Sequence, residues 1–405
     1  MGCCAVAAGA QQPALERVTH HVDTLSAQTL LSAPIEHLLD IRRQHLAEAL
    51  TARRPSLFFA SAFLEIVTLF YLWRSGRAAQ MRDALRRMIR NPHFLRMSYV
   101  WIIAMIAQIV SLPAGIVAYR LDVTVGSSIQ SPAEWLGQEL STAIFNAIMA
   151  AIVFAFMLWL VDRTRLWYLF GIAFMVFFIL LAAFAEPVVF SPFLLHQQTL
   201  SSSTGARAQL YEIERRMGVN APIVVEGTST GTGTDTSRIA GLGPTQQIDI
   251  SDGLLATATP GELSFIVARA GAHIAARDNL RLDLYAALWL VVAAAIAVTI
   301  SDRVGFRRDD DPLSRLALLG SLLGVAILIL LPVENAYSRR LEARADYAAV
   351  AAIGDRASAV RLMVRLADVD LLPACPRPIV RRYFLTSPPI ASRIAAIRGG
   401  GDPCP

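Results

Sequence analysis

The sequence of 405 residues lacks lysine and is poor in charge of either sign. Charged side chains make up 17% of the chain and hydrophobic residues 55%, and the mean hydropathy is +0.48. Soluble domains carry about 25% charged residues, so this composition excludes an ordinary soluble enzyme. All 37 basic residues are arginines, which we attribute to base composition. They are dispersed between apolar segments, which argues against a nucleic-acid partner.

Cysteine is also scarce, and no nucleotide-binding loop is present. The four cysteines, Cys3, Cys4, Cys375 and Cys404, are too few for a disulfide scaffold and lack the paired short spacing of a zinc ribbon. The Gly/Thr-rich segment 227–236 lacks the Gly-Lys-Ser/Thr of a phosphate-binding loop, so a flexible loop is predicted there.

Long apolar runs, in contrast, are abundant. A membrane-spanning helix needs about 20 apolar residues. Six runs approach or reach that length: 56–73, 98–119, 142–161, 166–185, 284–300 and 316–333. They predict an integral, multi-pass helical bundle whose first partner is the lipid bilayer. A transporter or channel would need charged residues within the spans, and Glu65 is the one clear case.

Arginine is distributed unevenly between the loops, which predicts an orientation. Thirteen arginines lie in three loops that share one side: 74–97, 162–165 and 302–315. The short loop 120–141 on the other side has one. Because basic loops stay in the cytoplasm, segment 187–283 and the tail after 334 are predicted to be extracytoplasmic. That compartment permits oxidation, so Cys375 and Cys404 are candidates for a disulfide.

The runs divide the chain into five parts. These are a solvated helical lead-in at 1–55, whose first residues resemble the end of a secretory leader, four spans at 56–186, a soluble part at 187–283, two spans at 284–334 and a second soluble part at 335–405. In the soluble parts we predict a helix over 206–217, a strand over 222–226, an edge strand over 246–250 and a helix over 335–353.

The segment 259–281 holds the strongest helix signal. Thr259 and Glu262, with Pro260 between them, form a capping box. Arg269 and His273 are four residues apart and share a face. Zinc sites usually need three protein ligands, so spacing alone favours a hydrogen-bonded core histidine over a metal ligand.

Six stretches together resemble a known family. They are SLPAGIVAYRLDVTVGSSIQS at 111–131, EPVVFSPFLL at 186–195, SRIAGLGPTQQIDISDGLL at 237–255, ELSFIVARAGAHIAARD at 262–278, EARAD at 342–346 and YFLTSPPIASRIAAIR at 383–398. Their order is similar to that of the membrane zinc metallopeptidases of the CAAX prenyl protease type I and HtpX-like family. The resemblance implies a mainly α fold, with a helical membrane bundle and a split α+β zincin-like domain. It also implies that the catalytic face is cytosolic, which is opposite to the orientation predicted from the arginine count.

The family's catalytic motif is degenerate here. Two histidines spaced i, i+4 and a distant glutamate hold zinc in such enzymes, and the glutamate after the first histidine is the general base. By resemblance, His273 and Glu342 are remnant zinc ligands, and Asp278 and Asp346 would support them. The remaining two motif positions hold Arg269 and Ala270.

These replacements predict an inactive relative. Arginine stays protonated and cannot ligate a cation, so no cofactor is expected unless zinc binds through a substitute ligand. We predict that Arg269 takes the metal position and pairs with Glu342, since a buried carboxylate without its metal needs another cation. The predicted function is polypeptide binding along the edge strand. An active zinc endopeptidase that uses His273, Glu342 and a substitute ligand is the alternative.

Overall fold

The computed structural model describes residues 21–125, 128, 130–190, 198–200, 205–226, 237–305 and 311–404. The loop predicted at 227–236 and the first 20 residues lie outside the described residues.

Six helices form the membrane bundle. They are α2 (Ile41–Arg74), α4 (Pro92–Val125), α5 (Pro132–Arg163), α6 (Trp167–Ala185), α10 (Asp278–Gly305) and α11 (Pro312–Ile353). Each is long and apolar enough to cross a membrane, which confirms the six predicted spans. Two short helices, α1 (Ala27–Ser32) and α3 (Arg77–Met88), precede and interrupt the first part of the bundle.

Two membrane helices continue well beyond their apolar runs. Helix α2 begins at Ile41, so the end of the predicted lead-in and the first span are one helix. Helix α11 has 42 residues, and the helix predicted separately at 335–353 is its second half. The backbone hydrogen bonds of a helix do not depend on side-chain hydropathy, so the spans predicted from apolar runs end before the helices do.

A four-stranded sheet lies beside the bundle, in the order β1 (Gln198–Thr199), β2 (Ile223–Glu226), β4 (Gln247–Ser251), β3 (Ser237–Ala240). Strand β4 pairs parallel with β2 and antiparallel with β3. The prediction of an edge strand at 246–250 is therefore wrong, because β4 is central and all five of its residues are buried. Among the described strands, β3 is the edge strand next to β4, since it pairs with β4 alone.

Six further helices complete the soluble domain: α7 (Gly205–Arg216), α8 (Asp252–Thr257), α9 (Pro260–Ala275), α12 (Arg356–Val369), α13 (Pro378–Tyr383) and α14 (Ile390–Arg398). Helix α7 confirms the helix predicted at 206–217. The core includes Phe265 of α9, Ile248 of β4 and Met363 of α12, all at most 1% exposed. Val22 and Leu30, fully buried, also belong to it, so the N-terminal segment is not solvated throughout as predicted.

The C-terminal tail is tied to the segment before α13. Cys375 and Cys404 form a disulfide with their Cα atoms 5.3 Å apart. The amide N–H of Ala391 donates to the carbonyl of Ala374, at 3.1 Å, beside this bond. The disulfide thus fixes the tail, and the hydrogen bond holds α14, against the same segment.

Candidate functional site

Helix α9 begins where the capping box places it. The Thr259 hydroxyl accepts a hydrogen bond from the amide of Glu262, and a Glu262 carboxylate oxygen accepts one from the amide of Thr259, at 2.6 Å. The other Glu262 oxygen lies 3.0 Å from Nε of Arg365, and neither side chain of this pair is exposed. The first turn of α9 is therefore held against α12.

Gly271, in the middle of the degenerate motif, lets α9 pack closely against the end of α7. A Cβ atom on Gly271 would lie 2.9 Å from the Cβ of Met217, which is closer than real Cβ atoms approach. Close packing on the end of α7 fixes the helix, and Arg269 and His273 then face α11.

The structure brings Arg269 and Glu342 together. Nη2 of Arg269 donates to Oε2 of Glu342, and Nε of Arg269 lies 3.2 Å from Oδ1 of Asp346. The three side chains are 18%, 20% and 7% exposed. Burial alone would lower the pKa of Arg269, but the two carboxylates outweigh it and raise that pKa. The guanidinium is therefore permanently charged in this site.

His273 is oriented by a carboxylate behind it. Its Nδ1 lies 2.8 Å from Oδ2 of Asp278, and because an ionised carboxylate only accepts, we place the proton on Nδ1. The chain turns at Arg277, whose φ is 55°, and this turn brings the first residue of α10 back to the histidine. Nε2 of His273 is buried 3.6 Å from Oε1 of Glu342 and has no hydrogen-bond partner among the described residues.

Two arginines that the sequence analysis did not single out complete the cluster. Arg344 donates to both oxygens of Asp278, and Arg393 of α14 contacts both oxygens of Asp346, at 2.7 and 2.8 Å. Both lie inside stretches that carried the resemblance, EARAD and SPPIASRI. Charge pairing was the signal that could have found them, since each buried aspartate needs a cation.

This donor set does not fit zinc. Two groups that could ligate zinc lie together, His273 Nε2 and Glu342 Oε1, and the side chain beside them is the guanidinium of Arg269, which cannot ligate. Within the part of the chain that the structure describes, no three His, Cys, Asp or Glu side chains are grouped as a metal site. Ala270, 7% exposed, also offers no proton acceptor where a general base would stand.

A second charged cluster lies on strand β3. Arg238 lies 2.6 Å from Glu186, 2.8 Å from Glu226 and 3.1 Å from Asp249, its cross-strand partner. Burial raises the pKa of Asp249 to about 7, against the opposing effect of Arg238. The amide of Asn279 donates to the carbonyls of Ile239 and Gly241 and so holds the end of β3 against α10.

Comparisons with known proteins agree with this architecture. The chain is similar to the Uncharacterized metalloprotease YhfN of Bacillus subtilis (strain 168), with 24% identity over 363 residues, 86% of this chain and 84% of that protein. The crystal structure of S. mikatae Ste24p has the same fold, with a TM-score of 0.77 over 98% of this chain and 99% of that one, at 14% identity.

Two family models match the sequence. Residues 25–196 match the model described as CAAX prenyl protease N-terminal, five membrane helices, and residues 239–400 match Peptidase family M48. The two matches leave only the ends of the chain and a short segment between them uncovered. The chain is therefore an integral membrane protein that belongs to peptidase family M48.

Proposed function

We propose that this protein is a catalytically inactive M48 family member that binds polypeptides. The observation that carries the proposal is the guanidinium of Arg269, placed between Glu342 and Asp346 where the family's metal would need a histidine. Arg269 and Arg393 together balance the charges of these two carboxylates. The charges of the two carboxylates are therefore neutralised without a divalent cation.

The loss of the general base supports the same conclusion. A positioned base contributes roughly 10²- to 10⁴-fold to a hydrolytic rate. At position 270 the side chain is a methyl group, and no rotamer of alanine can accept a proton. A metal bound through some other ligand would still lack this contribution.

The experiment is metal analysis and casein cleavage by four purified proteins: wild type, Arg269→His, Ala270→Glu and the double variant. We expect zinc in the two proteins with histidine at 269, and cleavage by the double variant alone. Ala270→Glu is the matched control, since it adds a base without a ligand. Stoichiometric zinc in the wild type, with cleavage that chelators abolish, would overturn the proposal in favour of an active endopeptidase.

Strand β3 is the proposed polypeptide-binding edge. An extended peptide adds to a sheet edge through main-chain hydrogen bonds, with little dependence on its sequence. Asn279 fixes the end of this strand, so the edge is ordered before a peptide arrives. A photo-crosslinker at Ser237 should capture unfolded casein, whereas one at Arg216, on the exposed side of α7, should not. Equal capture at both positions would contradict edge binding.

We also propose that the soluble domain is extracytoplasmic. The arginines of these loops that the structure describes lie at the opposite end of the bundle from this domain, and a disulfide between Cys375 and Cys404 is stable in an oxidising compartment. Membranes isolated under an alkylating agent should yield both cysteines unmodified until reduction. Two alkylated thiols without reduction would place the domain in the cytosol.

A further inference from the structure

A cavity of about 480 Å³ opens at the end of the bundle remote from the degenerate site. This bundle-end cavity lies where α4 begins, α5 ends and α11 begins. Three of its lining residues, Arg96, Asp162 and Asp311, lie close to the ends of the apolar runs 98–119, 142–161 and 316–333. The end of an apolar run marks the boundary between the hydrocarbon core and the headgroup layer of a bilayer. The bundle-end cavity is therefore at the depth of lipid headgroups.

The lining of the bundle-end cavity is both charged and apolar. Two arginines and two aspartates face it, Arg86, Arg96, Asp162 and Asp311, and its apolar wall includes Leu95 and Leu158. Arg96 pairs with Asp162 and Arg86 pairs with Asp311. Arg82 also lies 3.2 Å from Asp311, and its charge is balanced by Asp83, at 2.9 Å. The charges around the cavity therefore sum to zero, which matches a ligand that carries one charge of each sign beside an apolar part.

We propose that the bundle-end cavity binds the headgroup of a zwitterionic aminophospholipid, phosphatidylethanolamine. The phosphate would accept from Arg86 and Arg96, because a guanidinium has five N–H donors and its pairing with one carboxylate leaves others available. The primary ammonium would donate to Asp162, whose side chain is 54% exposed and has further acceptor positions. The acyl chains would leave into the bilayer past Val161, a lining residue that is 41% exposed.

Charge balance favours this lipid over the other common headgroups. An anionic headgroup would leave the two carboxylates facing its phosphate. A phosphatidylcholine headgroup carries a trimethylammonium, which has no N–H to donate to Asp162. Loss of a charge-assisted hydrogen bond weakens binding by about tenfold.

The test uses the delipidated full-length protein in detergent, titrated with short-chain phosphatidylethanolamine, phosphatidylcholine and phosphatidylglycerol below their micelle concentrations. Native mass spectrometry reports the bound fraction. We expect phosphatidylethanolamine to bind about tenfold more tightly than either of the others. Free phosphoethanolamine, which lacks acyl chains, should bind more weakly still.

Variants assign the binding to the bundle-end cavity. Arg96→Gln and Asp162→Asn should each weaken phosphatidylethanolamine binding about tenfold. Arg86→Gln keeps the test valid if the others fail to fold, since the Arg86 side chain is 49% exposed. Arg163→Gln is the matched control, as Arg163 ends α5 at the same end of the bundle without lining the cavity.

The proposal fails if the three lipids bind equally, or if phosphatidylglycerol binds most tightly, since the latter would indicate a site for net negative charge. Binding of free phosphoethanolamine as tight as that of the lipid would identify a soluble ligand instead. Equal effects of Arg163→Gln and Arg96→Gln would place the lipid elsewhere on the bundle.

Discussion

Replacement of Arg269 by methionine tests the electrostatic substitution most directly. The change removes one cation from a cluster of two arginines and two carboxylates. Asp346 keeps its two contacts with Arg393, at 2.7 and 2.8 Å, so the unpaired charge falls on Glu342. Removal of one partner of a buried pair costs about 3–5 kcal/mol. Glu342 retains 20% exposure, so we expect the lower end, about 3 kcal/mol.

A second variant also removes the unpaired charge of Glu342. The Arg269→Met/Glu342→Leu double variant places two apolar side chains of similar size in contact, and such replacements of buried pairs are often neutral or stabilising. The double variant should therefore be more stable than Arg269→Met alone, although it carries one substitution more. The measurement is thermal unfolding in one detergent, followed by intrinsic fluorescence. Arg216→Met is the control, because its partner Glu212 is half-exposed and such pairs contribute at most about 1 kcal/mol.

Two results would refute this reasoning. If Arg269→Met melts with the wild type, the guanidinium does not neutralise a buried carboxylate. If Arg269→Met/Glu342→Leu is no more stable than Arg269→Met, Glu342 is not left as an unpaired buried charge when Arg269 is removed.

Three further perturbations have expected outcomes. Burial raises the pKa of Asp249 to about 7, so the folded state holds this proton more tightly than the unfolded chain does. The free energy of unfolding should therefore fall from about pH 4 to pH 7. Asp249→Asn should reduce this pH dependence in thermal melts across that range. Cys404→Ser opens a loop with a sequence separation of 29 and should cost about 3 kcal/mol, with the reduced wild type melting like the variant. Thr259→Ala removes the cap of α9 and should cost about 1 kcal/mol, measured by the same melts.

The fold was largely predictable from apolar runs and caps, because both are local properties. The six runs correspond to six helices, and the box at Thr259 fixes the start of α9. The limits of α2 and α11 were not predictable from hydropathy, since both helices continue where their side chains turn polar. The order of strands depends on contacts between distant segments, which a period-two pattern does not contain.

Strand β4 illustrates the last point. The segment QQIDI at 246–250 alternates like a strand with one solvated face, and that pattern led to the prediction of an edge. Asp249 is instead fully buried, because Arg238 from β3 lies against it and Gln247 donates to it, at 2.7 Å. A polar residue in a strand thus faces either water or a partner, and sequence alone does not distinguish the two.

In the candidate site, the sequence supplied candidate positions where spacing or the family pattern marked them. The i, i+4 interval set Arg269 and His273 on one face, and the resemblance supplied Glu342. Arg344 and Arg393 were missed because neither has a metal-binding or proton-transfer role that a motif would mark. They became visible only as the partners of Asp278 and Asp346.

Arg344 and Arg393 also explain how the side chains of the site stay in position under the proposed loss of zinc. His273 is held by Asp278, which is held by Arg344, and Asp346 is held by Arg393, so each supporting carboxylate has its own cation. Among the described residues, Glu342 pairs with no arginine besides Arg269. A substitution at 269 alone therefore decides the charge balance of the whole cluster. This dependence predicts that histidine is tolerated there only when a metal ion supplies the missing charge.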